Sequence, residues 1–294
     1  MAETTAASQP IAIKNILATT DFSPAAMAAV RYAAAWARRL GAELHVVNFV
    51  QPQEMTAGAG YGPGVDLEGL LDSARRGLRE VEADPELQGV GLATHLREAA
   101  VEDGMVALIG ELHIDLVVAA SAGRRGLRKF IVGSTAEAIF RHVPCPVLLL
   151  GPGIEPKALT GKGPAPAPCQ ILYATDFGPA AQRAVGYARS LAQTWSASLR
   201  LLTVLPQPDP EALQLAQADA AAERLRALLP ADAAAHVQVE FGAAAAAIVG
   251  AATALKADLI VLGARPQPAV SLYTGWATAY QVLCHAPCPV LTVR

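Results

Sequence analysis

The residues whose types and spacing best suit chemistry lie in the segment 115–150. A short apolar run at 115–119, typical of a buried parallel strand, leads into a loop with three glycines and four basic side chains. These basic residues are Arg124, Arg125, Arg128 and Lys129. The loop enters a helix at Gly133 and Ser134, and Ser134 with Glu137 three residues later has the capping-box spacing. Main-chain N–H groups at a helix start, glycines and nearby cations together indicate a cradle for a polyphosphate.

Two structural interpretations compete with this one. A loop between a strand and a helix often carries Gly and Arg simply to turn and to stay soluble. Ser134 also suits the role of a helix N-cap. An N-cap hydroxyl and a phosphate would compete for the same N–H groups, so the two roles can alternate. Asp21, which follows an earlier apolar run, is likewise typical of a turn that caps the next helix. The residues alone leave these alternatives open.

Composition and charge exclude several classes of protein. The chain has 294 residues, of which 53% are hydrophobic, and a mean hydropathy of +0.32, which suffices for two domains with sizeable cores. A net charge of −3, from 23 basic and 26 acidic side chains, predicts neither a nucleic-acid nor a membrane partner. The N-terminus has no basic and apolar leader pattern, so we expect a cytoplasmic protein. Four cysteines are too few for a disulfide scaffold, and we interpret them as small buried hydrophobic residues.

The chain contains two copies of one pattern. Residues 16–26 return as residues 171–181, and His142–Leu148 returns as His285–Leu291. The same opening and the same ending, each pair a domain's length apart, indicate a tandem duplication. A segment rich in Pro and Gly separates the copies. The predicted division is a first domain at 1–150, a linker at 151–168 and a second domain at 169–294.

Apolar runs alternate with helical patterns throughout each copy. This alternation predicts an α/β fold with two doubly wound domains, each a five-stranded parallel sheet flanked by helices. If strand one is central, with strands two and four beside it, the strand order is 3-2-1-4-5. The first strand is predicted at 11–19. The helix that follows should have Ser23 as its N-cap and Pro24 as its first residue, and it should end at Gly41.

This strand order predicts both a ligand crevice and an internal interface. Such sheets bind ligands beyond the carboxyl ends of their strands, where the winding direction reverses, which here is between strands one and four. Asp21 and the loop 120–129 should meet there. The apolar last strands of the two copies, 144–150 and 287–293, are edge strands that need covering. We expect them to pair antiparallel as an intramolecular pseudo-dimer, with a further homodimer left open.

The sequence resembles a tandem universal stress protein over nearly its whole length. At the end of strand four, the ATP-binding members of that family carry Gly, two residues, Gly, nine residues, Gly, and then Ser or Thr. The first copy has Ala120, Gly123 and Gly133 at the three glycine positions, followed by Ser134 and Thr135. Only the first glycine of the motif is replaced.

The resemblance implies that the first copy binds ATP, with or without Mg²⁺. Asp21 would lie by the ribose and adenine, and main-chain atoms near Phe49 would bond the adenine edge. Ala120 adds a methyl group and denies the backbone a positive φ, which affects ribose contacts more than phosphate binding. The residues that would hold the phosphates are Gly123, Arg124, Gly133, Ser134 and Thr135.

The second copy departs from the motif. It retains Gly263, but Pro266 stands at the second glycine and Trp276 stands where Ser or Thr should be. Proline removes an N–H donor and fixes φ where a phosphate cradle needs freedom. Arg265 is the single basic residue of this loop. We therefore expect no nucleotide in the second domain.

By resemblance, the protein is a nucleotide-binding stress-response module whose ATP-occupied and empty states differ in partner affinity. One alternative is a structural or interaction module that binds no nucleotide. Another is a slow ATPase or a self-phosphorylating protein that uses Ser134 or Thr135. The sequence shows neither a nucleophile–His–carboxylate spacing nor a Walker lysine pattern, so we do not expect an efficient enzyme.

Overall fold

A computed structural model describes residues 11–51, 66–120, 136, 139, 141–151, 154, 168–208, 213–230, 236–264 and 278–294. The strands of the N-terminal half, residues 11–151, are β1 (Asn15–Thr19), β2 (Glu43–Val50), β3 (Leu92–Glu98), β4 (Leu116–Ala120) and β5 (Val147–Leu150). Those of the C-terminal half, residues 168–294, are β6 (Gln170–Thr175), β7 (Ser198–Leu205), β8 (His236–Phe241), β9 (Leu259–Gly263) and β10 (Val290–Val293).

Helices alternate with these strands. The helices are α1 (Pro24–Leu40), α2 (Leu67–Glu82), α3 (Val101–Glu111), α4 (Pro179–Trp195), α5 (Gln214–Arg226), α6 (Ala244–Leu255) and α7 (Thr278–His285). Residues 136, 139, 141 and 142 are helical as well, and Pro85–Leu87 is a short 3₁₀ turn. Within the ranges described, no helix is both long and apolar enough to cross a membrane.

The ten strands form one sheet in the order β3-β2-β1-β4-β5-β10-β9-β6-β7-β8. Each half therefore has the predicted order 3-2-1-4-5, with parallel neighbours throughout. The two last strands pair antiparallel, with Leu148 opposite Leu291, as their apolar composition predicts. This pairing covers both apolar edges and makes a single continuous sheet of the two halves.

The first helix forms where the sequence places it. The Ser23 hydroxyl accepts a hydrogen bond from the Ala26 N–H at 3.3 Å, and Pro24 is the first helical residue. Gly41 ends the helix in the left-handed conformation, with φ of 65°. The helix lies on one face of the sheet with α4, and α3, α6 and α7 lie on the other.

The start of the first strand differs from the prediction. The strand begins at Asn15 and not at residue 11, and Ile11 instead contacts the other half of the chain. The Ile11 N–H donates to the Ser190 hydroxyl of α4 at 3.1 Å. Trp36 of α1 and Trp195 of α4 also meet edge to face, with ring centroids 4.5 Å apart. Contacts between the halves thus extend beyond the β5–β10 pairing.

None of the four cysteines, all of which lie in the described ranges, forms a disulfide, but they do not share one environment. Cys284 and Cys288 are buried and Cys145 is half-buried, in keeping with the interpretation of small hydrophobic residues. Cys169 is exposed, so that interpretation is wrong for this residue. It directly precedes β6, where its N–H donates to the Asp258 carboxylate at 2.8 Å.

Candidate functional site

Three of the predicted site residues lie at one edge of the sheet. Asp21 follows β1, Phe49 is the penultimate residue of β2, and Ala120 is the last residue of β4. Because β1 pairs with β2 on one side and with β4 on the other, the three positions surround the end of β1. Five further predicted residues lie outside the described part of the chain: Gly123, Arg124, Gly133, Ser134 and Thr135.

A tight turn ends β1 and begins α1. The Phe22 N–H donates to the Thr20 hydroxyl at 2.9 Å, and the Ser23 N–H donates to Asp21 Oδ1 at 2.9 Å. Phe22 takes a φ of 61°, which is rare for an aromatic residue. The C-terminal half repeats the turn, with Phe177 at a φ of 60°. Two copies of an unfavourable conformation indicate that its geometry matters to both halves.

Asp21 has a structural role in this turn. Its Oδ1 accepts the Ser23 N–H, so the turn-forming interpretation of this residue is confirmed. The side chain is exposed, and Oδ2 has no hydrogen bond to another described residue. A carboxylate is an acceptor only, so this oxygen can accept a hydrogen bond from a ligand hydroxyl.

A buried hydrogen bond fixes the turn to β2. Asn48 is only 8% exposed, and its Nδ2 donates to the Thr20 carbonyl at 2.8 Å. In the C-terminal half the Thr203 hydroxyl donates to the Thr175 carbonyl, also at 2.8 Å. Two different side chains thus make the same bond, which holds the end of the first strand against the second.

The main chain of Phe49 faces the space beyond β1. Glu43 donates its N–H to Lys14 and the Val47 carbonyl accepts from Thr20, so odd-numbered residues of β2 direct their main-chain groups toward β1. Pairing with β1 ends at this Thr20 bond. The N–H and C=O of Phe49 therefore point past the end of β1, where a flat ligand with donors and acceptors on its edge can reach them.

The side chain of Phe49 contributes differently. A Cβ atom placed on Gly104 would meet the Phe49 ring, with 3.1 Å to its Cδ1 atom. The ring therefore packs closely against the first turns of α3, where only glycine leaves room. This packing fixes the end of β2 and leaves the main chain as the part of Phe49 that faces the crevice.

Gly263 shows what the first glycine of the motif does. A Cβ atom built there would lie 2.6 Å from the Ala180 carbonyl carbon and 2.7 Å from the Ala181 Cα. These are main-chain atoms of α4, so glycine is needed for close approach of a strand to a helix start. Gly263 does not have a positive φ, nor does Ala120 at the equivalent position. The methyl group of Ala120 therefore affects how closely β4 can approach the start of α1. The expected loss of a positive φ is not the relevant effect, because neither residue has one.

The C-terminal half contains a cavity at the corresponding position. It has a volume of about 120 Å³, and Asp176, Val204 and Gly263 are among its lining residues. These three correspond to Asp21, Phe49 and Ala120. The remaining lining is mostly small or aliphatic, with Ala181, Leu202 and Ile248 among it. Thr175, Thr278 and the Asp176 carboxylate add polar groups to this lining, so the cavity suits an uncharged ring with hydrogen-bonding groups better than an anion.

Sequence reasoning did not identify Thr20 and Asn48 as residues that shape the site. The Asn48 amide donates to the Thr20 carbonyl, and the proximity of these two residues depends on the fold. The Thr20 hydroxyl accepts from Phe22, which is a local contact of the turn. A signal was present in the Thr-Asp-Phe triplet at 20–22, which returns at 175–177. Among the described residues, no group of three or more His, Cys, Asp or Glu side chains could hold a metal ion.

Comparison with known proteins agrees with this architecture. A universal stress protein of Methanocaldococcus jannaschii is 26% identical over 138 residues, which cover 47% of this chain and 81% of that protein. A putative universal stress protein of Staphylococcus haemolyticus is 30% identical over 145 residues, 47% of this chain and 84% of that one. The crystal structure of a universal stress protein from Archaeoglobus fulgidus superimposes with a TM-score of 0.66 at 19% identity, covering 95% of this chain and 96% of that one, and so shares its fold.

The family assignment follows from a match in both halves. The model of the universal stress protein family matches residues 12–151 and again residues 170–294. The two matches together span most of the chain and reproduce the duplication seen in the sequence and in the strand order. This chain belongs to the universal stress protein family.

Proposed function

We propose that the N-terminal half binds an adenine nucleotide, ATP with or without Mg²⁺, in the crevice between the ends of β1 and β4. The bound and empty states would then differ in affinity for a partner protein in a stress response. The proposal divides the chain into domains at 1–150 and 169–294, with the linker 151–168 between them. Its setting is the cytoplasm, where thiols stay reduced, and the four described cysteines, none of which forms a disulfide, agree with that setting.

One observation carries the proposal. The Asp21 carboxylate, the main chain of Phe49 and the end of β4 lie around the end of a single strand, at the point where the sheet reverses its winding. The glycine-rich basic segment with Gly123 and Gly133 continues directly from β4. Groups that suit a sugar and a base edge therefore surround one crevice, and the segment that would hold a polyphosphate follows the strand at its edge.

The chemistry of these groups assigns each a part of the nucleotide. The exposed Asp21 carboxylate would repel a phosphate but can accept hydrogen bonds from ribose hydroxyls. The N–H and C=O of Phe49 offer the donor and acceptor that an adenine edge needs. Gly123, Arg124, Gly133, Ser134 and Thr135 would hold the phosphates through main-chain N–H groups, hydroxyls and one guanidinium.

The C-terminal half would not bind a triphosphate. Its loop carries Pro266 and Trp276 where the motif has glycine and a hydroxyl residue, and its basic residues are reduced to Arg265. Each lost charge-assisted contact removes on the order of 1–3 kcal/mol. The recess beside Asp176 has room for a ring, but a ring alone does not replace those contacts. This half would serve mainly as a structural partner.

An interaction module that binds no nucleotide is the second candidate. The observation in its favour is the continuous ten-stranded sheet, which gives the chain a rigid surface independent of any ligand. Absorbance near 260 nm in purified protein distinguishes nucleotide binding from the interaction module. Nucleotide absorbance that copurifies with the protein supports binding, and its absence after incubation with ATP supports the interaction module. Turnover of ATP well above background would be required for an enzyme.

A matched pair of variants tests the role of Asp21. Asp21→Ala and Asp176→Ala each remove an equivalent turn hydrogen bond, to Ser23 and to Gly178, so Asp176→Ala controls for the loss of that bond. Only Asp21→Ala should lower the affinity for ATP, by about 10-fold or more, since a hydrogen bond to a charged group is worth about 1.5–3 kcal/mol. Equal ATP affinity in the two variants would refute the proposed site, as would electron density for ATP away from β1 and β4 in soaked crystals.

A further inference from the structure

Two histidines contact each other across the first pair of strands. Nδ1 of His45 on β2 lies 3.2 Å from Nε2 of His95 on β3, and the ring centroids are 5.4 Å apart. His95 is in register with Val47, so the two rings are diagonal neighbours on one face of the sheet. Within the described chain β3 is the end of the strand order and pairs with β2 alone. The histidine pair therefore bridges an edge strand to the only strand that holds it.

The pair is shielded from solvent. His45 is 6% exposed and lies in register with Leu17 of β1, which is fully buried in the core under α3. His95 is half-buried. One ring nitrogen must donate and the other must accept, so the bond needs an unprotonated acceptor nitrogen. Adding a proton to each of the two rings would place two cations in contact, with one ring buried and the other half-buried.

The charged groups around the pair do not reverse the preference of the two rings for their unprotonated forms. Burial lowers the pKa of His45, and Glu43 on the same strand offsets this only in part. Burial also lowers the pKa of His95, with the charges of His45 and Arg97 acting in the same direction. Glu111 at the end of α3 and Glu43 act in the opposite direction, but Glu111 already pairs with Arg97 at 2.9 Å. Leu17, which faces the pair from β1, has no charge.

The direction of the pH effect follows from these shifts. An unfolded chain binds protons at its histidines with the ordinary pKa of about 6.5. The folded pair binds them less readily, so acid favours any state in which the rings separate. The stability that the pair contributes is complete above pH ~6.5, and it decreases as the pH falls from there toward the lowered pKa values of the folded state.

The C-terminal half has no histidine at the equivalent positions. Arg200 of β7 and Gln238 of β8 stand there, with Arg200 Nη1 3.5 Å from Gln238 Oε1. Gln238 also donates to Glu240 at 2.8 Å. Arginine stays protonated at any physiological pH and glutamine does not titrate, so this contact is insensitive to mild acid. The two ends of the sheet should therefore respond differently to pH.

We propose that His45 and His95 form an acid-sensitive latch, which holds the edge strand β3 on β2 at neutral pH and releases it in mild acid. Arg97 of β3 is in register with Phe49, so release of β3 also loosens the end of β2 beside the candidate nucleotide site. The latch itself does not depend on nucleotide binding, because it rests on contacts within β2, β3 and α3.

Amide hydrogen exchange of the full chain between pH 7.5 and 5.5 tests the latch. After correction for intrinsic exchange, opening of β3 should increase as the pH falls, by up to about tenfold per pH unit for each proton taken up. Opening of β8 should stay constant. In His95→Gln, which reproduces Gln238 of the other half, only His45 of the pair can titrate, so the pH dependence of β3 opening should be weaker than in the wild type, at most about tenfold per pH unit. His113→Asn removes an exposed histidine of the same half at a positive φ, which Asn accepts, and should behave as the wild type.

Several outcomes would overturn the latch. One is a β3 opening that does not change with pH in the wild type, and another is a pH dependence in His95→Gln that is as steep as in the wild type. If His95→Gln fails to fold, the double variant His45→Arg with His95→Gln transplants the Arg200–Gln238 contact and should give a folded β3 without pH dependence. Titration of the two ring resonances by NMR adds an independent check, since both must titrate below an ordinary histidine.

Discussion

Gly263→Ala tests the idea that the end of β9 touches the start of α4. A methyl group at this position would lie 2.6 Å from the Ala180 carbonyl carbon and 2.7 Å from the Ala181 Cα. Both are main-chain atoms, so no side chain can rotate away and either the strand or the helix must move. Such overpacking costs about 1–3 kcal/mol. The free energy of unfolding, measured in urea, should fall by that amount.

The equivalent residue of the other half gives a matched control. Ala120 already carries the methyl group at the end of β4, and the main chain of that half accommodates it. Ala120→Gly should therefore cost only the added flexibility of glycine in the unfolded chain, about 0.5–1 kcal/mol. If Gly263→Ala changes the free energy of unfolding by less than about 0.5 kcal/mol, or if Ala120→Gly costs more than Gly263→Ala, the close-contact argument is wrong.

Three further predictions concern the scaffold and its thiols. Asp115 and Asp258 each accept two main-chain N–H groups, so changing either to Ala should cost about 1–3 kcal/mol in urea unfolding, and an unchanged midpoint would contradict those bonds. Leu148 is fully buried opposite Leu291, where β5 pairs with β10. Leu148→Ala should lower the free energy of unfolding by about 2–5 kcal/mol, and a loss as small as that of an exposed residue, about 0.5 kcal/mol or less, would argue against that pairing. Burial raises the pKa of Cys145 and of Cys288 to about 12 each, so a thiol reagent at pH 8 should modify the exposed Cys169 first, as judged by mass spectrometry of digested protein; earlier labelling of Cys145 or Cys288 would contradict this.

Local patterns predicted much of the fold. The limits of α1 were readable because Ser23, Pro24 and Gly41 each favour one conformation regardless of their surroundings. The antiparallel pairing of β5 with β10 followed from two apolar edges that each needed a cover. The alternation of strands and helices predicted doubly wound parallel sheets, and the order 3-2-1-4-5 was expected on the premise that strand one is central.

Features that depend on distant contacts were not predictable in the same way. Ile11 looks like part of a strand, but Ser190 of the other half binds its main chain. The positive φ of Phe22 depends on hydroxyl and carboxylate acceptors that only the folded turn brings together. His45 and His95 are 50 residues apart and carry no motif, so only the β2–β3 register reveals their contact. For the candidate site, the sequence identified Asp21 as a turn former and as a ligand residue, and the structure establishes the first role.

Calorimetric titration of the full chain with ATP tests the central claim most directly. Binding at one ATP per chain is predicted, because the C-terminal half lacks the glycine, hydroxyl and cations of the motif. This binding should be lost when Gly123 and Gly133 are changed to bulky residues, and it should be unaffected by substitutions at Asp176. A stoichiometry near two per chain, binding that survives the glycine substitutions, or no binding at all would contradict the account.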